Sequence, residues 1–201
     1  TASSMVLSPG SPVKLTWENG NGLTFLRQLS INDDYMITVD DSVESALSAP
    51  LTLFPYGLVR RHGTPATTGI YILHEGALGV FDETLREEDY DDMRDADGGV
   101  TEIRPEMPGG WIGFTDKYWL AALLPDPTAH IKFAVKSLAA RAYREQVDSI
   151  AGGASVLPAG GVVSSQTRLF AGAKKVSLLD GYADELGIAN FDLAIDFGWF
   201  Y

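Results

Sequence analysis

Residues 23–44 read LTFLRQLSINDDYMITVDDSVE, and their spacing decides the fold. Leu23, Phe25, Leu29 and Ile31 fall on one face of an extended chain, with Thr24, Gln28 and Ser30 on the other. Asn32, Asp33 and Asp34 are turn formers. Beyond them Tyr35, Ile37, Val39 and Val43 alternate with Thr38, Asp40, Ser42 and Glu44, so the stretch is predicted to be a β-hairpin. The same alternation recurs at 51–53, 70–73, 80–81, 112–114, 118–124, 131–135 and 163–170, punctuated by Gly, Pro, Asp and Asn. Many short strands with polar outer faces predict an all-β, antiparallel sandwich over residues 1–172.

Near Ala173 the period changes. Val176, Leu179, Ala183 and Leu186 recur at helical spacing, and Gly187 is placed as a helix stop. A second helix is expected after Asn190, which can cap it, with Phe191, Ala194, Ile195 and Trp199 along one stripe. Residues 173–201 are therefore expected to form two short α-helices. The Gly/Ala/Ser-rich residues 151–161 read as a long loop.

The chain has 201 residues and a formal charge of -12, a poor basis for holding nucleic acid, whose affinity comes largely from Lys and Arg. Residues 82–97 carry nine acidic side chains against two arginines and read as a solvated loop or protruding edge. Clustered carboxylates suit calcium, but the spacing does not match an EF-hand loop, and no metal site is expected. There is no cysteine, so disulfides, iron–sulfur clusters and thiolate zinc sites are excluded. No apolar run reaches the ~18 residues that a membrane-spanning helix needs. The opening TASSMVLSPGSPV lacks the pattern of a signal peptide, and the closing Phe-Gly-Trp-Phe-Tyr is unusually aromatic; both ends suggest a piece of a longer protein.

Candidate chemistry is sparse. His62, His74 and His130 have no ligand spacing, and His74 and Glu75, neighbours on a predicted strand, would point to opposite faces. There is no G-x-S-x-G elbow, and the glycine pairs lack a P-loop context. Residues 109–124 (GGWIGFTDKYWLAALL) are the densest aromatic segment. They read as a core hairpin turning at Thr115-Asp116-Lys117, or, with Trp111, Tyr118 and Trp119 turned outward, as the lining of a groove for a sugar or extended peptide. Phe197, Trp199, Phe200 and Tyr201 read as a membrane-interface segment, since Trp and Tyr prefer the level of lipid headgroups.

Leu15-Thr16-Trp17, YGLVRRHGTP (56–65), YILHEGALGV (71–80), GWIGFTDKYW (110–119), LFAGAKKVSLLDG (169–181) and FDLAIDFGWFY (191–201) run in order along nearly the whole chain. In these blocks the sequence resembles the large periplasmic domain of YidC-type membrane protein insertases. The resemblance implies a β-supersandwich related in fold to galactose mutarotase, with C-terminal helices leading to the membrane core. It implies location at the periplasmic face of the bacterial inner membrane. The domain would be a non-catalytic accessory that assists membrane protein insertion and needs no cofactor. Its partners would be the Sec translocon with its accessory subunits, client membrane proteins, and the membrane surface at the C-terminal end. In one respect the sequence departs from the family: it starts after the family's first strands, so the sandwich is expected to be incomplete or its edge exposed. The competing expectation is a carbohydrate-binding or mutarotase-like sugar-processing domain, which would need an acid and a base facing one cleft.

Overall fold

The computed structural model describes residues 1–67, 73–138, 144–151 and 153–196. In chain order the strands are β1 (Val13–Glu18), β2 (Leu23–Ile31), β3 (Met36–Ser45), β4 (Leu51–Leu53), β5 (Tyr56–His62), β6 (Gly76–Phe81) and β7 (Thr84–Asp89). Helix α1 (Tyr90–Asp95) follows, then β8 (Val100–Ile103), β9 (Trp111–Thr115), β10 (Trp119–Leu124), β11 (Ile131–Leu138), β12 (Arg144–Ala151), β13 (Ser155–Leu157) and β14 (Val162–Ala173). Helix α2 (Val176–Leu186) and a 3-10 turn (Phe191–Ala194) complete the described chain.

Eight strands form one antiparallel sheet in the order β1-β2-β3-β14-β10-β9-β6-β7, and four form a second, β5-β12-β11-β8. A two-stranded ribbon pairs β4 with β13. The expected hairpin is β2 and β3, in register from Leu23 opposite Ser45 to Ile31 opposite Ile37.

The middle of the large sheet is buried on both faces, and its strands are accordingly almost continuously apolar. On one face Leu78, Val80, Trp111, Leu120, Ala122, Leu124 and Phe170 pack against Leu179, Tyr182, Ile188, Phe191 and Ala194 of the C-terminal helical segment. On the other, Ala77, Phe81, Ile112, Phe114 and Leu123 meet Ile131, Phe133, Val135 and Val147 of the four-stranded sheet. Three layers result. Each large apolar side chain buried fully in them contributes about 1.5–3 kcal/mol. Packing is close enough that Gly172 cannot be larger, because a Cβ there would overlap the Tyr35 ring.

Several local expectations are corrected. The acidic run does supply an edge, strand β7, but it continues into an unexpected helix α1, whose first N–H groups, from Asp91 and Asp92, donate to the Asp89 carboxylate at 2.8 and 2.9 Å. Tyr90 and Met93 of that helix are buried, a core contribution hidden among charges. The supposed loop 151–161 contains β13, with Leu157 fully buried. His62 ends strand β5. Leu73 is in a bend, and the rest of the strand expected at 70–73 lies outside the described residues.

Helix α2 ends as predicted, with Gly187 left-handed at φ 65° and its N–H bonded to the Ala183 carbonyl. The second helix is only a four-residue 3-10 turn. Asn190 does not cap it: its backbone is left-handed at φ 50°, and its side-chain amide donates to the Glu83 carbonyl at 3.0 Å. Through Ala194 the segment expected as a linker belongs to the core.

Candidate functional site: an apolar groove beside a free sheet edge

At the β1 end the large sheet runs past the four-stranded sheet and opens a groove of about 730 Å³. Register places Trp17, Phe25, Val43 and Val163 across one row of its floor, on strands β1, β2, β3 and β14. The Trp17 and Phe25 rings lie 5.0 Å apart, and Trp17 is 62% exposed. The opposite wall is Leu53, Phe54, Pro55 and Tyr56, where β4 leads into β5. These strands alternate because only one of their faces is apolar, and that face meets an open groove.

The next row carries Leu15, Arg27, Asp41 and Ser165. Arg27 grips Asp41 with two parallel bonds, Nε to Oδ1 at 2.7 Å and Nη2 to Oδ2 at 2.8 Å. That hydrogen bonding raises the Arg27 pKa above its ordinary value, so the guanidinium stays charged and committed to Asp41. The groove therefore offers a broad apolar floor crossed by one self-satisfied polar rung. Among the described lining residues no acid and base face each other across it. Such a surface suits an extended apolar chain.

Two sheet edges bear on this. The β1 edge expected to be exposed is occupied: Thr16 N–H donates to the Thr1 carbonyl at 2.8 Å, and Ser3 N–H to that of Lys14 at 2.8 Å. Strand β5, which begins at the groove wall, pairs only with β12 among the described strands. Among the described residues no strand pairs with its outer edge, which could accept a further one.

Of the residues singled out from sequence, Trp111 is not in any groove. It is 0% exposed, its indole N–H donates to the Ala189 carbonyl at 3.1 Å, and its ring meets Phe191 edge-on at 5.2 Å. Its place in a strand buried on both faces leaves it no route to solvent. Tyr118 and Trp119 are exposed, but at the β9–β10 tip and not along this groove. Phe197, Trp199, Phe200 and Tyr201 lie outside the described residues. The His74 N–H donates to Asp196 Oδ2 at 3.2 Å and its ring Nε2 lies 2.9 Å from the Ala77 carbonyl, a structural role. No grouping able to hold a metal occurs among the described residues.

Sequence reasoning missed a charged clasp between the layers. Arg61 of β5 crosses the sandwich to Asp116 with two bonds of 2.6 Å and also donates to the Tyr90 hydroxyl. These partners raise the Arg61 pKa, while burial pushes that of Tyr90 up. Glu145, 0% exposed, lies behind them with Arg94 Nη1 at 3.8 Å. Nothing in the local pattern of REQVDSIA marks Glu145 as the inward member of its strand.

The antiparallel supersandwich is of galactose-mutarotase-like fold. A solved galactose mutarotase related enzyme from Lactobacillus acidophilus superposes with a TM-score of 0.57, covering 82% of this chain and 70% of its own, at 8% identity. A likeness at that identity shows the fold alone. The family model described as the YidC periplasmic domain matches residues 1–201, and the chain belongs to that family. Relatives called membrane protein insertase YidC are 42% identical in Nitrobacter hamburgensis, over 97% of this chain, and 45% identical in Methylobacterium sp. (strain 4-46), over 100%. The chain spans about a third of the length of those relatives (33% of each).

Proposed function

We propose that this chain is the non-catalytic periplasmic interaction domain of an inner-membrane insertase, and that its groove receives extended apolar segments of client membrane proteins. The carrying observation is the Trp17–Phe25–Val43–Val163 floor, open beside a β5 edge that no described strand pairs with. An entering strand would gain backbone hydrogen bonds from the edge and side-chain burial from the floor. The Sec translocon and its accessory subunits are the further partners of this reading. A photo-crosslinker at Phe25 of the full insertase should capture a client during insertion. Capture only from a probe on the opposite sheet face, at Gln28 or Asp40, contradicts the reading.

In the same reading, residues 173–201 lead from the β body to the membrane, and Phe197, Trp199, Phe200 and Tyr201 rest at its interface. Deleting residues 190–201 is a poor test, since Phe191 and Ala194 are core residues. Replacing the four aromatics by Ser should reduce vesicle partitioning with the fold intact; unchanged partitioning removes the interfacial role. For the sugar-processing alternative, faster mutarotation of α-glucose than in buffer would overturn the non-catalytic assignment. The self-paired Arg27–Asp41 rung supports no such acceleration.

A further inference from the structure

The β9–β10 hairpin tip is an aromatic and basic projection on an acidic protein. Tyr118 is 64% exposed and Trp119 57%. Lys117 Nζ sits 5.1 Å from the Tyr118 ring centroid. Strand pairing sets Trp119 opposite Ala173, and Lys174 N–H donates to the Tyr118 carbonyl at 2.9 Å, which brings exposed Lys175 and Val176 alongside. The carboxylate nearest the tip in sequence, Asp116, is neutralised by Arg61.

The tip also lies near Asp196, the last of the described residues. Lys174 Nζ donates to Thr115 Oγ1 at 2.7 Å and lies within electrostatic reach of Asp196, whose carboxylate accepts the His74 N–H. In sequence Asp196 is followed directly by Phe-Gly-Trp-Phe-Tyr.

We propose that Lys117, Tyr118, Trp119 and Lys175 form a second membrane-contact surface that binds anionic phospholipid headgroups. Its closeness to Asp196, which the C-terminal aromatics follow in sequence, would make the two contacts one footing for the domain on the bilayer; this rests on the reading of the C-terminal aromatics above. Trp and Tyr side chains combine an apolar ring with a polar group and favour the headgroup layer, and lysines beside them are drawn to its negative potential. A body of net charge -12 is repelled by such a surface, so contact is favoured where Lys117 and exposed Lys175 stand beside the exposed rings of Tyr118 and Trp119.

The test uses the 201-residue chain carrying Trp17→Phe and Trp199→Phe, which leaves buried Trp111 and exposed Trp119 as emitters. On phosphatidylglycerol vesicles containing headgroup-proximal brominated lipid, Trp119 emission should shift to the blue and be quenched. Lys117→Glu and Lys175→Glu should each weaken partitioning at least about fivefold on these vesicles and much less on phosphatidylcholine. If vesicles bind but Trp119 stays unquenched and neither lysine variant changes partitioning, the tip proposal falls and the C-terminal contact stands. If replacing Phe197, Phe200 and Tyr201 by Ser leaves binding and Trp119 quenching intact, the C-terminal contact falls and the tip stands. No partitioning by the parent chain overturns both.

Discussion

Strands β9 and β10 and strands β1 and β2 lie in one sheet, yet they are built by opposite rules. WIGFT and WLAALL are apolar almost throughout, because helices cover one face and the second sheet covers the other. VKLTWE and LTFLRQLSI alternate, because one face meets water and the other a groove. Surface that is covered by the protein's own layers stabilises the fold. Surface of equal apolarity left open in the groove stabilises only a complex with something else. The first region should thus respond to substitution in stability, the second in binding.

The sharpest break between the regions is expected at the Trp111–Phe191 contact. Phe191→Ala should cost about 3–5 kcal/mol in urea unfolding, since both partners are fully buried. A loss below about 1 kcal/mol would mean that the helical layer is not part of the core. Arg61→Met should cost about 2–4 kcal/mol, because it strands Asp116 and Tyr90 between the layers; the partial exposure of the pair keeps the loss below that of a fully buried one. Gly172→Ala should destabilise by about 1–3 kcal/mol through overlap with Tyr35, read as a lowered Tm.

In the groove the numbers shrink. Trp17→Ser should change stability by no more than about 0.5 kcal/mol while weakening capture of an apolar peptide. On its polar rung, a double-mutant cycle on Arg27 and Asp41 should give about 0.2–1 kcal/mol of coupling, falling with salt.

Alternation in residues 23–44 identified the β2–β3 hairpin, and the aromatic blocks identified the family, because both signals are local. The groove was not legible. Its floor is assembled from four strands separated by up to 146 positions, Trp17 to Val163, and its wall from the turn at Phe54–Tyr56. Trp111 and Trp119 show why residue type alone misleads: they are eight positions apart in one aromatic stretch, yet one is core and the other exposed. Helix α1 escaped because its two buried residues, Tyr90 and Met93, sit in a run dominated by acid. Arg61 and Glu145 escaped because charged side chains are ordinarily outside, and only the cross-layer pairing turns them inward.

The most direct test of the central claim is an NMR titration of the 201-residue chain with an extended apolar peptide. Shift changes should concentrate at the Trp17 indole, Phe25, Val43, Val163 and the backbone of β5, with Trp111 unmoved. Changes gathered on the opposite face at Gln28, Asp40 and Gln166, or none at saturating peptide, would contradict it.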